Sequence, residues 1–309
     1  MIKVALLELI STSSEFWQQL QERRNALTPK STFRTNSKES RPIESSTPKD
    51  KVVSLLNSFN TGDTSPIAYI NPNKYIQHNL AVADGLAGFG EVVQAAPPGG
   101  FSANVVRALQ DGKYVITHTE YDFFGPKIGF DVFRFEEGFI VEHWDNLQTT
   151  ATETVSGRSM IDGPRKIEDL DKTESNKNLV KNLLKEVFFN GNVDKLPSYF
   201  SPSQYAQHNA AIGDGLDALM QGKAAMAEAG KPLTYTYNLA IFVQGNFALA
   251  VSEGEFMGKA TAFYDLFRVQ EGLIVEHWDT LEAIPSRDQW KNNNGKFGFG
   301  SDVIKAGDS

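Results

Sequence analysis

FDVFRFEEGFIVEHWDNL (Phe130–Leu147) returns as YDLFRVQEGLIVEHWDTL (Tyr264–Leu281), with 12 of 18 positions identical. Each copy reads as two alternating strands joined by a Glu-Gly turn, at Glu137-Gly138 and Glu271-Gly272. Further out, YIQHNLAVADGLAGF (75–89) realigns with YAQHNAAIGDGLDAL (205–219) at 8 of 15 positions. The order of segments is kept, and the offset of about 130 residues far exceeds the 20–50 of a solenoid unit. Each copy is therefore a whole domain.

Both copies open on a helical pattern. Val52, Leu55, Leu56 and Phe59 recur at i, i+3, i+4 and i+7, as do Val180, Leu183, Leu184 and Val187. Gly62 and Gly191 stop these helices. The YxQHN segments read as short strands, and Asp84 and Asp214 as caps of a second helix. Asp111-Gly112 and Gly245-Asn246 mark further hairpins. Helices followed by a meander of long strands give an α+β class: two tandem cone-shaped domains, each a curved, mostly antiparallel sheet with helices on its concave face. The expected division is an N-terminal helix and linker over 1–49, domains at 50–150 and 176–285, a polar connector at 151–175 and a loosely ordered tail at 286–309.

The 309 residues carry a net charge of −8 with a pI near 5.3, which argues against a nucleic-acid surface. No apolar run approaches the eighteen or so residues of a membrane helix. Glu8 interrupts the apolar start MIKVALLELI, which reads as a helix and not as an export signal. The absence of cysteine excludes disulfides, thiolate nucleophiles and sulfur-ligated metals. A cytoplasmic location is the default.

Strand alternation sorts the candidate site residues. In KYVITHTEY the bulkier face carries Tyr114, Ile116, His118 and Glu120, matched by Phe247, Leu249, Val251 and Glu253, and is taken as inward. On the last hairpin Asp131, Phe133, His143 and Asp145 face inward, matched by Asp265, Phe267, His277 and Asp279. A two-residue Glu-Gly turn would instead bring Asp131 opposite Trp144. His78 and His208 suit either a strand–helix bridge or a pocket role. Tyr75, Tyr114, Phe133, Trp144, Tyr205, Phe247, Phe267 and Trp278 are the aromatic pocket candidates, the two tryptophans reading equally as packing or dimer-face residues. His78, His143 and Asp145, if convergent, would form a two-histidine-one-carboxylate set, but nothing local fixes one, and neither metal nor organic cofactor is expected.

The helix–YxQHN–DG–meander order, ending in D-[VL]-F-R-x-x-[DE]-G-x-I-V-E-H-W-D, resembles the SnoaL-like branch of the nuclear transport factor two-like superfamily across both repeats. The resemblance implies an apolar pocket inside each cone, chemistry such as polyketide cyclisation, isomerisation, dehydration or epoxide hydrolysis, and dimers formed through the sheet face. Two fused copies then make an internal pseudo-dimer, with room for a further homodimer. It also implies an acid/base aspartate, matched by Asp131 and Asp265, helped by a histidine matched by His118 but replaced by Val251 in the second copy. Glu120 and Asp145 match the two acids of the epoxide-hydrolase branch, with His118 in place of that branch's arginine.

A carboxylate in a dry pocket has a raised pKa and can remove a proton beside a carbonyl near neutral pH. A histidine or tyrosine in reach stabilises the resulting enolate. These parts suit aldol-type cyclisation, isomerisation or dehydration of a small hydrophobic carbonyl compound, centred on Asp131 and His118. The competing expectation is a non-catalytic module that binds a small ligand or a protein. A third is that one copy is active and the other only completes the pseudo-dimer.

Overall fold

A computed structural model describes residues 46–300, except 98, 229 and 231–232, together with 303–305. The expected N-terminal helix and nearly all of the linker within 1–49 lie outside the described residues. The chain is α+β: two curved sheets with a few helices.

The first half begins with α1 (Pro48–Thr61), whose capping box satisfies both ends of its first turn: Thr47 Oγ1 accepts the Asp50 amide and the Asp50 carboxylate accepts that of Thr47. Gly62, at φ 72°, closes it. Then follow β1 (Ile76–Gln77), α2 (Gly85–Gln94), β2 (Ser102–Asp111), β3 (Tyr114–Asp122), β4 (Pro126–Glu136) and β5 (Phe139–Thr149). The second half repeats the series as α3 (Thr173–Leu183), β6 (Ala206–Gln207), α4 (Leu216–Glu228), β7 (Leu233–Gln244), β8 (Phe247–Phe256), β9 (Lys259–Gln270) and β10 (Leu273–Ala283). α3 runs on into π-helical turns over Leu184–Phe189, and Val180, Leu183, Leu184 and Val187 are all fully buried. The sheets have matching orders, β1-β5-β4-β3-β2 and β6-β10-β9-β8-β7, the latter extended by β11 (Ile304–Lys305). β1 and β6 pair parallel to β5 and β10, and the long strands are antiparallel.

One residue of irregularity sets the register of the last hairpin. The Glu137-Gly138 turn does have two residues, both at positive φ, with Glu136 opposite Phe139. A bulge then leaves Val141 without a partner, so Asp131 lies opposite Asp145 and not opposite Trp144. The second half repeats this at Val275, placing Asp265 opposite Asp279.

Each sheet is covered on both faces. Helices cover one face: Val52, Leu55 and Leu56 pack with Tyr75, Val115, Phe133 and Ile140, and α3 packs likewise with Phe200, Ala250 and Phe267. The other faces pack on each other, through Ile116, Phe130 and Trp144 against Phe247, Leu249, Val251, Tyr264 and Trp278. At about 25 cal/mol per Å² of apolar surface removed from water, burial of these aromatic side chains favours the seam.

Two straps cross between the halves. The connector after β5 runs to the second half, where the Ser159 carbonyl accepts from His208 Nδ1 (2.6 Å) and the Asp162 carbonyl accepts from Trp278 Nε1 (3.0 Å). The segment after β10 returns to the first half: Asn292 Nδ2 donates to the Asn79 and Val82 carbonyls, and the Gly295 carbonyl accepts from His78 Nδ1 (2.8 Å). The described part of the tail is therefore tied to the 77–84 segment, Asn294 Nδ2 also donating to the Gln77 carbonyl and to Asp84 Oδ1. Asp84 and Asp214 depart from the expected caps: each carboxylate accepts a β-strand amide, from Gln77 and Gln207 at 2.9 Å, instead of a helix amide.

Candidate active site

β4 and β5 bring Asp131, His143 and Asp145 to one face, and β9 and β10 do the same for Asp265, His277 and Asp279. Both groups lie on the helix-covered side of their sheet, and in each trio the side-chain donor atoms lie within 4.8 Å of one another. All six residues line cavities, as do Tyr75, Phe133, Tyr205 and Phe267.

The orientation of each imidazole is fixed. In the second half Gln207 Nε2 donates to Tyr205 Oη (2.8 Å), and Gln207 Oε1 accepts the Asn209 amide (2.9 Å). That oxygen also accepts from His277 Nδ1 (3.0 Å), which leaves Nε2 facing Asp265 Oδ1 at 3.1 Å. The Tyr235 hydroxyl donates to Asp265, and Asn209 Nδ2 donates to Asp279 Oδ2 at 2.6 Å. The first half builds the same frame: His143 lies between Gln77 Oε1 and Asp131 Oδ1, both at 3.2 Å, and Asn79 donates to Asp145 at 2.6 Å. There Tyr121 donates to Asp131 (2.6 Å), from β3, whereas Tyr235 comes from β7. The outer oxygens of Asp145 and Asp279 are buried without a hydrogen-bond partner.

Burial raises Asp279 from 3.8 to about 6, with the neighbouring Asp265 adding to the shift and His277 opposing it. Burial alone would lower His277, but its bond to Asp265 and the two carboxylate charges outweigh that and raise it. Burial also pushes the Tyr205, Tyr235 and Tyr121 hydroxyls well up, so they stay protonated donors.

The halves differ in two further respects. The first cavity measures about 80 Å³ and the second about 760 Å³. A dry cavity of about 150 Å³ holds a benzene and drug-sized sites run to about 300–1,000 Å³, so only the second accommodates a sizeable ligand. It is largely apolar, lined by Phe188, Leu196, Phe200, Leu219, Ala225 and Leu281 among others. The second difference is the countercharge. Lys296, from the tail strap and 5% exposed, places its ammonium on the Asp145 carbonyl (2.9 Å), on Glu282 (2.7 Å) and 3.9 Å from Asp145 Oδ1. The connector has Met160 at the matching place, one residue beyond the carbonyl that receives the QHN histidine, and Met160 is buried.

Several expected site residues lie elsewhere. Thr117 and Tyr121 of β3 face the first site, so the faces of β3 are reversed from expectation. His118 stands in the seam, stacked on Phe130 and accepting from Arg107 Nη1 at Nδ1 (3.1 Å). Burial, then the Arg107 charge, lowers its pKa well below the usual histidine value. Tyr114, Trp144, Phe247 and Trp278 also belong to the seam and not to a cavity. Glu120 is exposed, accepting from Asn104, and Glu253 lines neither cavity. His78 and His208 stack on Trp144 and Trp278 and bond Glu142 and Glu276 at 2.9 and 3.0 Å, so the set His78, His143 and Asp145 does not converge. The physical reason is shared: a sheet buried on both faces has two apolar faces, and bulk does not tell seam from cavity. The residues not foreseen are Gln77, Gln207, Asn79, Asn209, Tyr121 and Tyr235. The repeated QHN carried a signal for the first four, since its glutamine and asparagine recur beside the histidine. The two tyrosines come from non-equivalent strands, so no internal alignment pairs them.

No protein-family model and no curated protein matches the chain. Among solved structures, TsrD from Streptomyces laurentii is similar at 19% identity and a TM-score of 0.29, over 35% of this chain and 89% of its own. An NTF2-like protein of unknown function from Mesorhizobium loti is similar at 22% identity and a TM-score of 0.30, over 39% and 98%. IdmH from Streptomyces antibioticus, described as a candidate polyketide cyclase, is similar at 21% and 0.28, over 35% and 91%. No helix among the described residues is long and apolar enough to cross a membrane.

Proposed function

We propose that the chain is a SnoaL-like acid/base enzyme of two tandem domains, 50–150 and 176–285, fused as an internal pseudo-dimer, with its working site in the second. The repeated motifs, the matching strand orders and the seam of Trp144 and Trp278 support the fusion. The observation that carries the function is a mostly apolar cavity of about 760 Å³ with Asp265, His277 and Asp279 in its wall.

The substrate class is a small hydrophobic carbonyl compound. Asp279, with a free buried oxygen and a pKa of about 6, takes the proton next to the carbonyl. Tyr205 accepts from Gln207, and no acceptor for its own proton stands among the described residues, so that proton is free for the developing enolate oxygen. Asp279 then returns the same proton at a second position, while Asp265 and Gln207 hold the His277 imidazole beside it, where its charge favours the ionised form of Asp279. Cyclisation, isomerisation and dehydration all begin from this enolate.

The test reads the first step directly. Apolar ketones of graded size are incubated with protein in D2O, and loss of their α-protons is followed by NMR. Catalysed exchange that Asp279→Asn abolishes, in a variant of unchanged fold, is the expected result. Saturable binding of a ketone with no exchange above that of Asp279→Asn would favour a binding module and overturn the enzyme reading.

A further inference from the structure

Gln207 Oε1 accepts both the Asn209 amide and His277 Nδ1, so the Nδ1 proton is committed and the Nε2 lone pair points at Asp265 Oδ1, 3.1 Å away. Two lone pairs cannot face each other at that distance in a buried wall. A proton or a cation must lie between them. Asp279 adds a third donor, an oxygen on a side chain only 7% exposed, without a hydrogen-bond partner and on the same cavity wall. With a single proton the imidazole is neutral and two carboxylates leave the group two positive charges short; a second proton, between Nε2 and Asp265, still leaves it one short. The first half brings the Lys296 ammonium, shared with Glu282, to 3.9 Å from Asp145 Oδ1, where the second has Met160.

From these contacts we infer that Asp265, His277 and Asp279 form a binding site for one first-row divalent cation, a site the sequence did not lead us to expect. Two carboxylates and a neutral imidazole make a divalent ion electrically neutral in the wall. The 3.1 Å spacing of Nε2 and Oδ1 suits neighbouring ligands at about 2.0–2.2 Å from a metal. A modest rotation brings in the free oxygen of Asp279, all donors already lying within 4.8 Å. Gln207 supplies the outer hydrogen bond that orients a ligating histidine, and Tyr235 and Asn209 do so for the carboxylates. Three protein ligands on a cavity wall leave coordination positions open toward the 760 Å³ space, where a carbonyl oxygen or a water can complete the shell. The metal replaces the proton between Asp265 and His277 and occupies Asp279. The loaded and the acid/base forms are therefore alternative states of one cluster.

The experiment uses the full chain, stripped with EDTA and dialysed, titrated with Zn2+ by calorimetry and with Mn2+ by electron paramagnetic resonance, without substrate. The expected result is one equivalent per chain, lost in Asp279→Asn and His277→Ala, weakened about 10–100-fold in Gln207→Leu, and retained in Asp131→Asn. Circular dichroism checks the fold of each variant, and Lys296→Met supplies an independent reading by adding a second equivalent in the first half. No saturable binding, or binding undiminished in Asp279→Asn and His277→Ala, overturns the inference, as do two equivalents in the unaltered chain. Proton exchange measured in EDTA tests the acid/base reading separately, so either idea can fail while the other stands.

Discussion

Asn at position 279 is a stability experiment as well as a catalytic one. Raising a carboxyl from 3.8 to about 6 means that the folded chain holds its proton more tightly than the unfolded chain. Stability from this group is complete below pH 3.8 and lost as pH rises through about 6. Above that, an ionised Asp279 costs about 3 kcal/mol relative to a neutral one. At pH 8 the full penalty applies, and at pH 4 only about 0.6 kcal/mol remains. Asp279→Asn removes the ionisation while keeping the size, and its carboxamide can still accept from Asn209 Nδ2. Equilibrium denaturation in EDTA should show the variant more stable than the parent by up to about 3 kcal/mol at pH 8, with the gap shrinking to under about 1 kcal/mol at pH 4. A gap that does not change with pH, or a variant less stable than the parent at pH 8, would refute the reasoning: Asp279 would then be well solvated or paired in the folded chain.

Met160→Lys places an ammonium where the first half has Lys296, so it should lower the Asp279 pKa and move the acidic limb of the exchange profile to lower pH, as read by pH–rate measurements. Lys296→Met leaves Asp145 and Glu282 without their shared cation and should cost about 1–3 kcal/mol at pH 7 by urea denaturation, with exchange in the second cavity unaltered. His118→Val copies the second half at the seam and removes a buried Nε2 that has no partner. Turnover should be unchanged and stability should move by less than about 1 kcal/mol, because Arg107 Nη1 still donates to the Ile161 carbonyl. A large loss of turnover would return His118 to the chemistry.

The polar face of the last hairpin was legible because its polarity is local. Asp131, His143 and Asp145 alternate with Trp144 and Arg134, and a period of two separates the faces whatever covers them. The alternative pairing of Asp131 with Trp144 failed on one extra residue, Val141, which no turn rule locates. β3 misled because each of its faces is apolar: Val115 packs under α1, and Ile116 packs against the other sheet.

The sequence by itself determined the duplication, the helix-then-meander order and the carboxylate–histidine face of the last hairpin, since repeats and periodicities are properties of neighbours along the chain. Tertiary structure alone decided which half encloses the larger cavity, which histidines pack in the seam and where the Lys296 ammonium lies. Lys296 meets Asp145 across 151 residues, and His78 meets Gly295 across 217. Such contacts form only when the straps cross, and no local pattern encodes a partner brought in by another part of the fold. The same crossing separates two nearly identical motifs, leaving one beside a buried ammonium and a small void and the other with a methionine and a large void.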